Sequence, residues 1–179
     1  MDRPAEKSAL IVPVLEAEKF VRKWRKNLDP ACFRGIPAHI TVLFPFAHPT
    51  DLDEEMITSL DDYFSRIDPF DFVLNEVAWF ENRVVYLEPL PDTAFRDMTR
   101  DLLARFPQYL PYDGKFGEPK PHLTVGDGAP TALLEEAASD ISQHLPIVVN
   151  AKKVWLMTGG MGSDSWTLRH DFSLGHSPI

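Results

Sequence analysis

Apolar residues recur along this chain with two rhythms. Short continuous or alternating runs read as strands, and runs repeating every third or fourth residue read as amphipathic helices. Residues 9–14, "ALIVPV", predict a strand. Residues 16–28, "EAEKFVRKWRKNL", put Val21, Trp24 and Leu28 on one helical face. "HITVLFPF", 39–46, predicts the next strand. Residues 51–67 set Ile57, Leu60, Phe64 and Ile67 at helical spacing, with Asp51 or Asp53 as the cap and early acids that suit a helix N-terminus. "FDFVLNEVAWF", 70–80, predicts a strand with partial alternation.

The series then starts again. "VVYLEP", 84–89, takes the place of "ALIVPV", and residues 92–106 form a helix with Phe95, Met98, Leu102 and Phe106 on one side. A proline-rich loop leads to the strand "HLTV", 122–125. Residues 131–145 form a helix built on Leu134, Ala137, Ala138 and Ile141. "IVVNAKKVWLM", 147–157, parallels "FVLNEVAWF", and "WTLRHDFSL", 166–174, closes the chain after a Gly/Ser/Asp turn. The order implies a duplicated α+β chain, with copies at about 8–83 and about 84–175. Two such copies pack about a pseudo-twofold axis, so equivalent strands face each other. The prediction is one bilobal domain over residues 1–179, its terminal strands open to exchange between the lobes.

Composition narrows the function. The 18 Lys and Arg against 27 Asp and Glu give a net charge of −9. Binding long nucleic acid relies on neutralising phosphates, so no such partner is expected, although a local basic pocket stays open. Cys32 is the only cysteine, which excludes an intrachain disulfide and a thiolate zinc cage. No signal-peptide pattern occurs, and no apolar run approaches the roughly 20 residues needed to span a bilayer. The expectation is a cytoplasmic monomer without membrane association.

Candidate chemistry lies in the two strands that begin with histidine. Residues i and i+2 of a strand share a face. His39 and Thr41 therefore point one way and Ile40 and Val42 the other; His122 and Thr124 oppose Leu123 and Val125 in the same manner. Aliphatics would meet a helix-covered core, and imidazole plus hydroxyl would meet the space between the lobes. Two such pairs supply a base, an acid and two hydroxyl donors around one phosphate. Phe44, Phe46, Tyr86, Phe116 and Trp166 are candidates for stacking on a base, with Phe116 in a loop (112–120) read as mobile. Alternation sends either Arg169 or His170 toward the cleft, and Arg169 is preferred for phosphate charge. His48 reads as solvated, His144 as a helix C-terminal residue and His176 as tail. "GGMGSDS", 159–165, lacks the Lys-Ser/Thr of a phosphate-binding loop. No third ligand stands near the two histidines, so neither metal nor cofactor is expected.

The two His-apolar-Thr-apolar motifs, in a duplicated chain, resemble those of the two-histidine (2H) phosphoesterase superfamily, in its 2′-5′ RNA ligase-like or cyclic phosphodiesterase branch. The likeness runs from Ala9 to about Leu174. It implies a bilobal fold with antiparallel sheets lining a central cleft and helices outside. It also implies metal-independent hydrolysis of a 2′,3′-cyclic phosphate or 2′-5′ phosphodiester of a nucleotide or short RNA end. His39 and His122 match the catalytic histidines; Thr41 and Thr124 match the phosphate-contacting hydroxyls. RNA ligase-like members often carry a basic residue soon after the motif, whereas here Leu43 to Phe46 and Gly126, Asp127 and Gly128 follow. That shifts the expected substrate from polyanionic RNA to a small cyclic phosphate, with an optimum near neutrality. The other readings are a binding module that has lost turnover, an RNA-processing partner, and a 2′-5′ RNA ligase acting in reverse.

Overall fold

The computed structural model describes residues 6–175, so His176 lies outside the described residues. The first half contains β1 (Lys7–Pro13), α1 (Glu18–Leu28), a short α2 (Pro30–Phe33), β2 (His39–Leu43), α3 (Glu54–Ser65) and β3 (Phe70–Phe80). The second contains β4 (Val84–Leu90), α4 (Thr93–Arg105), β5 (Leu123–Asp127), α5 (Thr131–Ser142), β6 (Ile147–Ala151), β7 (Lys153–Gly159) and β8 (Thr167–Ser173). Asp53, not Asp51, caps α3: its carboxylate accepts the Met56 N–H at 2.8 Å. The sequence reading missed α2, a single turn started by the Asp29 carboxylate accepting the Ala31 N–H and by Pro30 at the first helical position.

The strands form two four-stranded antiparallel sheets, in the orders β2-β1-β7-β8 and β5-β4-β3-β6. The two motif strands, β2 and β5, are therefore edge strands in corresponding places. Beside β1 runs β7 from the far end of the chain, and beside β4 runs β3 from the first half. This is the α+β, antiparallel architecture expected above. The single strand predicted at 147–157 is a correction. It is two strands on different sheets, joined at exposed Lys152. The inward residues are Ile147, Val149 and Ala151 on β6 but Val154 and Leu156 on β7, so the phase flips from odd to even positions across the joint. The strand predicted at 39–46 is also shorter, ending at Leu43.

Ile40, Val42, Leu123 and Val125 are all buried in one core. Helix α1 covers β5, and α4 covers β2 through Thr99, whose hydroxyl donates to the Val42 carbonyl at 2.8 Å. Phe95 of α4 meets Phe70 and Phe72 of β3 edge-on, at 5.3 and 5.1 Å between centroids, which ties the two sheets into a common core.

Gly126 explains why no side chain stands at the position directly after the second motif. A Cβ there would lie 2.6 Å from Leu134 Cδ2 and 3.0 Å from Leu28 Cβ. Position 126 thus faces the α1–α5 wedge, and any side chain would push the helices off β5. Gly126→Ala should lose about 1–3 kcal/mol, as other overpacked cores do. The measurement is the urea midpoint at unchanged slope; an unmoved midpoint would show that the wedge yields.

Candidate active site

Strands β2 and β5 run close to each other. On β2, Thr41 pairs with Ile11 of β1 and His39 with Pro13; on β5, Thr124 pairs with Tyr86 of β4. All four polar motif residues are half-buried, while the aliphatics between them are sealed in the core. The alternation predicted from sequence is therefore the one observed.

The two imidazoles are held alike. Nδ1 of His39 lies 2.8 Å from the Pro37 carbonyl, and Nδ1 of His122 lies 2.7 Å from the Lys120 carbonyl. A carbonyl only accepts, so Nδ1 carries the hydrogen in both rings and the Nε2 lone pair is left for chemistry. Neither Nε2 nor the hydroxyls of Thr41 and Thr124 bond to any described residue. Around His122 stand Phe80, edge-on at 5.0 Å, and Tyr86 at 5.4 Å, themselves stacked at 4.1 Å.

Both rings resist protonation. Burial pushes His39 down to about 3, with the Arg25 guanidinium and the His122 ring adding to it against the Pro37 bond. Burial also lowers His122; the Lys120 carbonyl, Asp29 and Asp127 act in the opposite sense, and the Lys120 ammonium deepens the shift. The free protein therefore presents neutral imidazoles at pH 7, with Arg25 of α1 acting on His39 and Asp29, just after α1, acting on His122.

The stacking candidates divide. Tyr86 is 2% exposed, covered by Phe80, so it supports His122 rather than offering a face to a base. Phe46 and Trp166 are likewise buried, Phe46 against Phe106 and Tyr109, and Trp166 over Gly159. Phe44 is half-buried beside Trp166 and Tyr112, at 6.1 and 6.4 Å, with the Lys7 ammonium 5.5 Å above its ring. Phe116 is 69% exposed and meets Tyr112 edge-on at 5.7 Å. The Tyr112 N–H donates to the Phe44 carbonyl at 2.7 Å, which pins this loop to the end of β2. Arg169 is exposed on β8, whereas His170 packs on Phe172, 4.5 Å between centroids, on the core side. His144 stacks on Phe20, and His48 bonds Thr50 outside the cleft. Asp127, the acid that follows the second motif, is paired with Arg83 at 3.0 Å.

Arg25 escaped the sequence reading. It is 1% exposed, and its Nε and Nη2 reach Asp29 Oδ2 at 2.9 and 2.8 Å. Its Nη1 is buried without a hydrogen-bond partner among the described residues, 3.7 Å from Glu18. The signal was present: Arg25 lies on the apolar stripe of α1 with Val21 and Leu28, with an aspartate four residues on.

The model of the 2′-5′ RNA ligase superfamily matches residues 13–161. The chain belongs to that superfamily. Both motif strands fall inside the matched span, and the 2H phosphoesterase likeness read from sequence agrees with it. By sequence, no curated protein matches. Among solved structures, Escherichia coli LigT complexed with 3′-AMP superposes with a TM-score of 0.62 at 17% identity, covering 94% of this chain and 98% of LigT. TT0787 of Thermus thermophilus gives 0.62 at 19% identity, over 96% and 100% of the two chains. LigT complexed with NADP+ gives 0.60 at 16% identity, over 97% and 99%. At such identities the superpositions establish the fold of this superfamily member. Among the described residues, no helix is long and apolar enough to cross a membrane.

Proposed function

We propose that the protein is a two-histidine phosphoesterase that hydrolyses a 2′,3′-cyclic phosphate, or a 2′-5′ phosphodiester, of a nucleotide or short RNA end. The observation that carries this reading is the matched pair of Nδ1–H bonds to Pro37 and Lys120, which leaves two Nε2 atoms for proton transfer. One Nε2 removes a proton from water as its oxygen bonds to phosphorus. The other, protonated, donates to the leaving ribose oxygen as the P–O bond breaks, giving a phosphomonoester. Thr41 and Thr124, whose hydroxyls have no partner among the described residues, hold the non-bridging oxygens. No step calls on a metal ion. The nucleotides named with LigT, 3′-AMP, ATP and NADP+, support a nucleotide substrate.

The pH optimum follows from the two lowered imidazoles. The kcat/KM profile reports the free protein, so its bell should lie on the acid side of the unperturbed imidazole value of about 6.5 rather than at neutrality. A bound phosphate anion favours the protonated rings and moves the kcat optimum back toward neutrality. The test is a panel of 2′,3′-cyclic nucleotides and 2′-5′ dinucleotides in EDTA, with product phosphate position read by NMR. Turnover that appears only when a divalent ion is restored would overturn this mechanism.

Thr41→Val and Thr124→Val keep shape and remove one donor each. A donor aimed at developing charge contributes about 10²–10³ in turnover where it acts alone. Two hydroxyls share the load here, so each variant should lose less than that, chiefly in kcat. Wild-type kcat in both would reduce the threonines to strand residues.

A further inference from the structure

Phe80 belongs to neither motif, yet its ring stands beside a cleft imidazole. Thr124 pairs with Tyr86 across β5 and β4, and Tyr86 pairs with Ala78 across β4 and β3. Phe80 follows Ala78 by two residues, so all four side chains share the cleft face of their sheet. The alternate positions lie on the other side: Val77 and Trp79 pack on the main core, and Val85 and Leu87 are sealed in it.

Three rings form a compact triangle on that face. Tyr86 and Phe80 are stacked, 4.1 Å between centroids and 23° between planes. His122 lies 5.0 Å from Phe80 and 5.4 Å from Tyr86. A ring on the far face of Phe80 would be separated from Tyr86 by both spacings laid end to end. His122 is much closer than that, so it sits at the rim of the stack, and neither ring covers the far face of Phe80. Phe80 is half-buried, and its side chain is carbon alone. Tyr86 offers no such face: it is buried, with Phe80 on its ring and the Lys120 ammonium 5.7 Å from its centre. The stack is anchored at its inner ring and open at its outer one.

We propose that the outer face of Phe80 is the platform on which the substrate's nucleobase stacks, which makes Phe80 a specificity-determining residue and a purine nucleotide the preferred substrate. The proposal rests on the phosphoesterase reading above and adds the seat of the base. A ribose carries the cyclic phosphate on its 2′,3′ edge and the base on C1′. It therefore bridges from His122 Nε2 to a ring beside that imidazole. Every base has a π face to lay on phenylalanine, and a larger base covers more of it. Phe44, the other half-open aromatic, is a poorer seat. The Lys7 ammonium stands 5.5 Å from its ring centre, Trp166 and Tyr112 crowd its sides, and among the described residues it has no ring contact with either histidine.

The test compares 2′,3′-cyclic AMP with methyl riboside 2′,3′-cyclic phosphate, which has no base. Phe80→Leu keeps an apolar side chain and removes the π face. It should raise KM for the nucleotide about 5- to 150-fold, the range for losing one base–aromatic stack, with a smaller change in kcat. The base-free substrate should be turned over as by wild type. Phe80→Tyr should restore most of the nucleotide KM, and wild type should favour 2′,3′-cyclic AMP over 2′,3′-cyclic UMP. Equal losses on both substrates would overturn the proposal, because Phe80 would then only prop His122. So would a base-dependent loss that follows Phe44→Leu instead. NMR of wild type with 3′-AMP needs no variant to fold: adenine protons should show NOEs to the Phe80 ring, and NOEs to Phe44 in their place would overturn the platform. Phe80 NOEs in a protein that turns over nothing in the panel above would sink the phosphoesterase reading and leave the platform standing.

Discussion

His39→Ala and His122→Ala should each lose about 10²–10⁴-fold in turnover of a 2′,3′-cyclic nucleotide, the usual contribution of a positioned acid or base. The magnitude follows from the geometry. Each ring has a single nitrogen left for the substrate, and the Nδ1 bonds leave no other orientation in which the remaining ring could serve both roles. The double variant should be little worse than either single one, because residues acting as a unit are not additive. Both singles should still bind a nucleotide product, since Thr41, Thr124 and the cleft walls are untouched. The measurement is single-turnover kinetics alongside an amide NMR spectrum that verifies folding. Either single variant keeping most of its rate would end the two-histidine mechanism.

The second large effect is on stability. Arg25→Ala should cost about 3–5 kcal/mol, the range for removing one partner of a buried ion pair. The loss arises because Asp29 is left as an uncompensated buried charge, and because the Ile36 carbonyl loses its donor. For a chain of this size that corresponds to a fall of roughly 6–20 °C in Tm. The penalty should shrink at lower pH. Burial already raises Asp29 above its ordinary value of 3.8 despite the opposing pull of Arg25. Without Arg25 the carboxyl rises further, so the native state takes up a proton before the unfolded chain does and gains stability as pH falls. Urea curves of wild type and variant at pH 7 and pH 5 test this. An equal difference at both pH values would mean that Asp29 reaches water once Arg25 is gone.

The period-2 runs and the 3.6-residue stripes were enough to locate most strands and helices, because each element buries one face and the others stay polar. His39, Thr41, His122 and Thr124 were legible for the same reason: polar groups at every second position of an apolar strand stand out. The phase change across Lys152 was also on the page, since inward residues switch from 147, 149 and 151 to 154 and 156. It was overlooked because eleven residues with one short polar stretch pass for a single strand. Arg25 was not read as buried, because a guanidinium at the edge of an apolar stripe normally reaches solvent.

Other features belong to the tertiary structure alone. Sequence named several aromatics for base stacking; only packing decides that Phe80 covers Tyr86 and that Phe44 stays half-open, because ring exposure depends on residues far away in the chain. Sequence could not rank the two histidines, since their local motifs are nearly the same. Burial comes first among the causes that lower both rings, and packing sets it: α1 lies across β5, and its Arg25 and Glu18 anchor the approach to β2. Electrostatic influence falls with distance in space, not along the chain. The residue types of the candidate site were therefore written in two tetrapeptides, while the burial and neighbouring charges that keep both imidazoles neutral come from residues that neither tetrapeptide contains.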